Sequence, residues 1–136
     1  MIDFVIRAGK EHMQVAVVGE LLRATYWANG RSDAIVEKSM QKSDCYGAFL
    51  AENRQQIGFA RVVTDDATFL WVCDVVVDPR YRGHGIGKRL LETIQSQPKY
   101  RPMLGLLATS DAHGLYEQYG FVRSGDERFM QKPKGV

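Results

Sequence analysis

The stretch Val75-Val76-Val77-Asp78-Pro79-Arg80-Tyr81-Arg82-Gly83-His84-Gly85-Ile86-Gly87-Lys88-Arg89-Leu90-Leu91 constrains this chain more than any other. It reads as strand, turn, glycine-rich loop and helix. Val75 to Val77 end an apolar run that starts at Phe69, and Asp78-Pro79 stops it, because proline has no amide to give to a ladder. Gly83, Gly85 and Gly87 then lead into a helix whose apolar residues, Ile86, Leu90, Leu91 and Ile94, share one face. Glycines at the mouth of a helix let backbone amides approach a ligand, and the helix N-terminus adds positive potential. Arg80, Arg82, Lys88 and Arg89 add formal charge around the same mouth. The arrangement suits an anion such as a pyrophosphate; the alternative is a glycine-rich turn that binds nothing.

Periodicity organises the remainder around this unit. Phe4 to Arg7 reads as a strand, Glu11 to Thr25 as an amphipathic helix, and Ser32 as the cap of a second helix to about Lys42. Tyr46 to Glu52, Gln55 to Thr64 and Phe69 to Val77 form a three-strand antiparallel meander, with Asp74 interrupting the longest run. After the glycine loop the helix runs to about Gln97, Met103 to Ala108 is a strand, and Ser110 or Asp111 caps a short helix through Tyr119 that Gly120 closes. Phe121 to Arg123 and Arg128 to Lys132 make a last β pair across Ser124-Gly125-Asp126. The order β-α-α-β-β-β-α-β-α-β-β predicts an α/β protein with a mixed central sheet and helices on both faces, built as a single domain over 1–136. The glycine loop then lies at the C-terminal end of a strand, where such sheets bind ligands.

Composition excludes several classes. With 45% hydrophobic and 25% charged residues the chain can bury a core, and a net charge of +2 gives no reason to expect nucleic acid as a partner. No apolar run is long enough to span a bilayer, so no membrane partner is expected. The opening Met1-Ile2-Asp3-Phe4 lacks a charged-then-apolar leader, which points to the cytoplasm, where Cys45 and Cys73 stay free thiols. His12, His84 and His113 are scattered and no Cys/His spacing suggests a metal.

Three anion-binding patterns compete for the glycine loop. The P-loop fails twice, with Arg82 at its first glycine and Arg89 at its Ser/Thr. The dinucleotide fingerprint fails at Lys88, where a glycine is required, and at the missing acidic residue further on. The third, R-x-x-G-x-G, fits as Arg82-x-x-Gly85-x-Gly87. With V-V-V-D-P before it and K-R-L-L after it, the segment resembles the acyl-CoA-binding motif of the GNAT family of N-acetyltransferases. A second segment, Ala112-His113-Gly114-Leu115-Tyr116-Glu117-Gln118-Tyr119-Gly120-Phe121, resembles the same family's A-x-x-L-Y-E-x-x-G-F signature. The resemblance covers most of the chain from Tyr46 to Phe121, and the two N-terminal helices suit it.

The resemblance implies acetyl-CoA as co-substrate and a role for each matched position. The backbone of Val75, Val76 and Val77 would pair with the pantetheine arm. Arg82 and the amides of Gly83, His84, Gly85, Ile86, Gly87 and Lys88 would hold the pyrophosphate. A kink or bulge in the central strand would splay it from the Met103 to Ala108 strand, with the thioester in the gap and its carbonyl on an amide near Val77. Tyr116 would stand by the thioester sulfur. A phenol of pKa ~10 is protonated at neutral pH and can donate to a departing thiolate; the alternative is a packing tyrosine. Thr109 stands where the family often has an asparagine, and its hydroxyl is the remaining cofactor contact available there.

On the acceptor side the residues leave more open. An ammonium must lose a proton before it attacks, and Asp74, alone in an apolar strand, is the candidate base through a raised pKa. It either serves so or bonds locally. Tyr26 and Trp27 either cover the acceptor or cap the core, and Asp111 and His113 are surface polar residues or part of the acceptor site. Cys73 neighbours the site, but no histidine near it in the chain activates it, so direct attack in a ternary complex is favoured over a covalent intermediate. The reading is an N-acetyltransferase acting on a primary amine of a small molecule or peptide. The alternatives are a non-catalytic acyl-CoA-binding sensor or partner subunit, or transfer to a hydroxyl. The last β pair could add strands across a homodimer.

Overall fold

The computed structural model describes residues 2–125 and 128–135. Five strands, β1 (Phe4–Ala8), β2 (Asp44–Leu50), β3 (Gln56–Thr64), β4 (Phe69–Val77) and β5 (Leu104–Leu106), lie in one sheet in chain order. The first four pair antiparallel, and β5 pairs parallel to β4. The meander over β2, β3 and β4 is therefore present, and the parallel step is made by the crossover helix that the glycine loop begins.

Helices α1 (Val15–Arg23) and α2 (Asp33–Gln41) cover one face, where Val18, Leu22, Val36 and Met40 pack with Phe49, Phe59 and Val76. Helix α3 (Ile86–Gln95) covers the other, where Ile86, Leu90, Leu91 and Ile94 pack with Ala48, Ala60, Leu70 and Val72. These four α3 residues are each at most 4% exposed, and each stabilises the fold by roughly 1.5–3 kcal/mol as an upper figure. Gly58 is what allows α3 so close: a Cβ there would lie 3.1 Å from Ile86 Cγ2 and 3.2 Å from Ala48 Cβ. The mixed sheet with helices on both faces is the architecture that the element order implies.

Three boundaries differ from the periodicity. The expected helix from Glu11 splits into a 3-10 turn, Lys10–His12, and α1, because Gln14 is drawn out of helical geometry. Its amide and side-chain carbonyl exchange hydrogen bonds with the buried Gln56 at 2.8 and 3.1 Å, and its side-chain nitrogen donates to the Arg54 carbonyl. The short helix α4 (His113–Glu117) starts after Ala112 without a side-chain cap from Ser110 or Asp111; just ahead of it Thr109 Oγ1 accepts from the Ala112 amide at 3.0 Å. Gly120 closes its end at φ +87°, letting the Phe121 amide donate back to the Tyr116 carbonyl at 3.3 Å. The expected final β pair is not formed: the described residues after α4 contain no strand, and Val122 and Met130 are exposed at 87% and 95%. The edge facing them, β5, is only three residues long and offers few ladder groups. Asp126, in the expected turn, lies outside the described residues.

Candidate active site

Asp74 shapes the site through the backbone. It sits at φ +55°, a left-handed conformation that aspartate tolerates better than most residues. There β4 carries an extra residue: Arg61 pairs with Cys73, but Phe59 pairs with Val76. This is a β-bulge, and it reverses the alternation of the strand. Before it, Leu70 and Val72 pack toward α3; after it, Val75 and Val77 do, while Val76 joins the α1–α2 face. Pairing of β4 with β5 stops at Trp71 and Leu106, just before the bulge. The ladder between the two strands ends at this point, as a central strand splayed from its neighbour requires.

Below the C-terminal end of β4, Asp78 starts a 3-10 turn, Pro79–Tyr81, accepting from the Arg80 amide at 2.9 Å and holding the Arg80 guanidinium at 2.8 Å. Arg80 is therefore occupied, and Arg89 lies over the Phe4 ring at 5.1 Å. The exposed Arg82 and Lys88 have no ion pair among the described residues. Gly83 and Gly85 adopt φ +85° and +78°, and Gly85 is the residue that turns the chain into α3. Nothing lies within 4 Å of a Cβ built on either. From Gly83 to Lys88 no backbone amide donates to another described residue. Six successive amides at a helix mouth, flanked by two unpaired cations, fit a diphosphate. Ile86 contributes its amide only, since its side chain is in the core.

Tyr116 and Thr109 come together at a 570 Å³ cavity also lined by Trp71 and Leu106 to Ala108, on the β5 side of the splay. Burial, then the Asp111 carboxylate and the Cys73 thiol, push the Tyr116 phenol above its ordinary pKa, so it stays protonated at neutral pH. Its ring meets Phe121 edge-on at 6.1 Å, and its hydroxyl makes no hydrogen bond with a described residue. A larger cavity of 750 Å³ lies between α3, β5 and the segment after α4, away from the glycine loop. The Cys73 thiol is pushed up to about 11, chiefly by burial, which leaves little thiolate. Among the described residues no group of three His, Cys, Asp or Glu side chains is placed to hold a metal.

The expectation for Asp74 needs correction. Its side chain is 2% exposed, but it is not isolated: Arg31 Nη1 and Arg61 Nε reach the same oxygen, Oδ2, at 2.7 and 2.9 Å, and Trp27 Nε1 reaches Oδ1 at 3.3 Å. Burial alone would raise its pKa, but the hydrogen bonds and charges of the two arginines outweigh it and hold the carboxyl below the usual range. A carboxylate so held is a poor proton acceptor. Its visible work is to fix the loop between α1 and α2 onto β4. Tyr26 extends that loop to the other lip, its hydroxyl 2.6 Å from Ser110 Oγ beyond β5, while its ring meets Trp27 edge-on at 5.2 Å. Tyr26 and Trp27 thus lie across the splay. Arg31 and Arg61 were not singled out in the sequence; an arginine after an Asn-Gly turn and one inside a strand carry no motif.

The comparisons agree with this geometry. The model of the acetyltransferase (GNAT) domain matches residues 44–123. Of curated proteins, the chain is 35% identical over 91 residues to the GCN5-related N-acetyltransferase 2, chloroplastic, of Arabidopsis thaliana, covering 63% of this chain and 35% of that protein. The chain thus spans about a third of that relative's length. A crystal structure of a GNAT-family protein from Xanthomonas campestris pv. campestris superposes with TM-score 0.91 at 32% identity, covering 98% of this chain and 94% of the other. A Mycobacterium tuberculosis protein solved in complex with CoA shares the fold, at TM-score 0.73 and 16% identity over 93% of this chain and 76% of that one. The glycine loop, the splayed β4 and Tyr116 therefore sit within a matched domain, and the chain belongs to the GNAT acetyltransferase family.

Proposed function

We propose that this protein transfers an acetyl group from acetyl-CoA to a primary amine by direct attack. The observation that carries this is the run of unpartnered amides from Gly83 to Lys88 ahead of α3, next to a strand splayed from its neighbour at Asp74. Arg82, Lys88 and those amides bind the pyrophosphate. The exposed backbone of β4 beyond the bulge, Val75 to Val77, takes the pantetheine arm as a neighbouring strand would be taken. Thr109, whose oxygen accepts from the Asp111 and Ala112 amides ahead of α4, keeps its hydroxyl proton to donate toward that arm.

The amine nitrogen bonds to the carbonyl carbon, and the carbon–sulfur bond breaks. The nitrogen, cationic once bonded, releases its extra proton to water, and Tyr116 donates its own proton to the departing sulfur and recovers one from solvent. The carboxylates with a resolved shift, Asp65, Asp74 and Asp78, are all held below their usual range, so none of them is tuned as a base. The amine sheds its proton to water before attack, and the rate then rises with pH toward the acceptor's own pKa. A covalent acetyl-cysteine route is disfavoured by the raised Cys73 pKa. The test is calorimetric titration with acetyl-CoA and CoA, for the wild type and for Gly85→Asp. The substitution adds a carboxylate with no neighbour within 4 Å, at a left-handed position that strains an aspartate by about 1–2 kcal/mol; the variant is expected to keep the far-UV circular dichroism of the wild type while binding is lost. Absence of binding by the wild type would refute the proposal.

A further inference from the structure

We infer that Arg31 is an oxyanion-recognition residue of the acceptor site, so that the acceptor is an amine that also carries a carboxylate or phosphate group. The inference rests on the acetyl-transfer reading above. Two guanidinium groups converge on one carboxylate oxygen of Asp74, leaving one positive charge in excess. Arg61 is the more engaged of the two: it bonds Asp74, donates to Ser43 Oγ at 2.9 Å and lies against the Cys73 thiol, with its side chain 14% exposed. The Arg31 side chain has a single hydrogen bond among the described residues, through Nη1 to Asp74, and is 24% exposed. The rest of its planar fork has no partner among the described residues, and a guanidinium fork matches a planar or tetrahedral oxyanion.

Among the described residues no acid other than Asp74 pairs with either arginine. Asp33, the acid close to it in the chain, is bonded to Arg23 at 2.7 Å. Asp111 sits on the far lip, where it faces Tyr116. The position is also right for an acceptor. The loop that holds Arg31 is tied to β4 through Asp74 and to the β5 side through Tyr26 and Ser110, so it spans the opening in which the thioester carbon must be reached. An acceptor entering there meets two aromatic rings and one spare guanidinium. A lysine-rich peptide would bring further positive charge to a site that already has an excess.

The test compares matched amine pairs in a thiol-release assay: β-alanine against β-alaninamide for the carboxylate, and phosphoethanolamine against ethanolamine for the phosphate. The anionic member of at least one pair is expected to have the higher kcat/KM by roughly 10- to 100-fold, the range of a charge-assisted hydrogen bond. Arg31→Gln is expected to bring that ratio near unity, and Arg31→Lys to restore part of it; a purely structural arginine would lower both members alike. Binding is read independently from the indole N–H resonance of Trp27, assigned with Trp71→Phe, as CoA-loaded wild type is titrated with each amine. Shifts with the anionic members alone support the inference. Equal or better use of the neutral amines or of a lysine peptide, a ratio that survives Arg31→Gln, or a Trp27 resonance unmoved by both anions would overturn it. Calorimetry on the same preparation separates the two failures: acetyl-CoA binding without anion preference refutes this inference alone, and no acetyl-CoA binding refutes the transfer reading beneath it.

Discussion

Asp74→Asn separates a base from an anchor. The substitution keeps shape and one acceptor oxygen but removes the charge that two guanidinium groups share. Breaking a fully buried pair from one side costs about 3–5 kcal/mol. Here the carboxylate is 2% exposed but the arginines are 14% and 24% exposed, so both can regain some water, and the expected cost falls to roughly 2–3 kcal/mol. With a urea slope of about 1.5 kcal/mol per molar, the midpoint drops by roughly 1.5 M. The pH dependence has a definite sign. The folded carboxyl is held below its usual pKa, so its contribution is full above the unfolded value of about 3.9 and is lost as pH falls through the folded one. Urea melts at neutral pH and near pH 3 should show the difference between variant and wild type shrinking on acidification. A cost below about 0.5 kcal/mol at neutral pH, or one that grows in acid, would refute the ion-pair account. A catalytic base would behave otherwise, removing one ionisation from the pH–rate profile with little change in stability.

Other changes probe the rest of the site. Tyr116→Phe should lower kcat by roughly 100-fold or more if the phenol is the acid, with acetyl-CoA affinity by calorimetry and thermal midpoint unchanged, since its hydroxyl bonds no described residue. Equal turnover would remove that role. Cys73→Ser should keep turnover within about threefold, because a thiol raised to about 11 carries little thiolate; a trapped acetyl-enzyme in mass spectrometry would contradict this. Gly58→Val forces a side chain against Ile86 and Ala48 at 3.1 and 3.2 Å and should cost about 1–3 kcal/mol in urea melts, whereas a neutral result would mean that α3 can shift.

Legibility in the sequence followed the range over which the physics acts. The glycine loop was readable because its requirements are local: positive φ at Gly83 and Gly85 is a property of glycine, and the apolar face of α3 repeats with the helix. The N-terminal helix was misjudged at Gln14 because the competitor, Gln56, is far away in the chain. The last β pair, Phe121 to Arg123 with Arg128 to Lys132, is overestimated because two short runs about a turn signal do not report that the neighbouring edge, β5, is only three residues long. Asp74 was the hardest residue. A carboxylate within an apolar strand has one sequence signature whether it is left bare, which raises its pKa, or met by arginines, which lowers it. The two arginines come from a loop and from a neighbouring strand, and neither spacing announces a pair.

The same residue shows why the backbone and the side chain at this point cannot be varied separately. Were Asp74 to take ordinary extended geometry, the bulge would close and Val75 to Val77 would exchange faces, returning β4 toward a register in which it could continue along β5. The splay needed for a thioester would be lost with it. A left-handed aspartate costs about 1–2 kcal/mol, and the hydrogen bonds from Arg31, Arg61 and Trp27 hold it there. The ion cluster thus supports the gap on the cofactor side while its surplus charge faces the acceptor side. Asp74→Gly, which keeps the left-handed turn but discards the carboxylate, should therefore retain acetyl-CoA binding by calorimetry while the α1–α2 loop loses protection in hydrogen exchange. Loss of both together would mean that the side chain, and not the bulge, holds the strands apart.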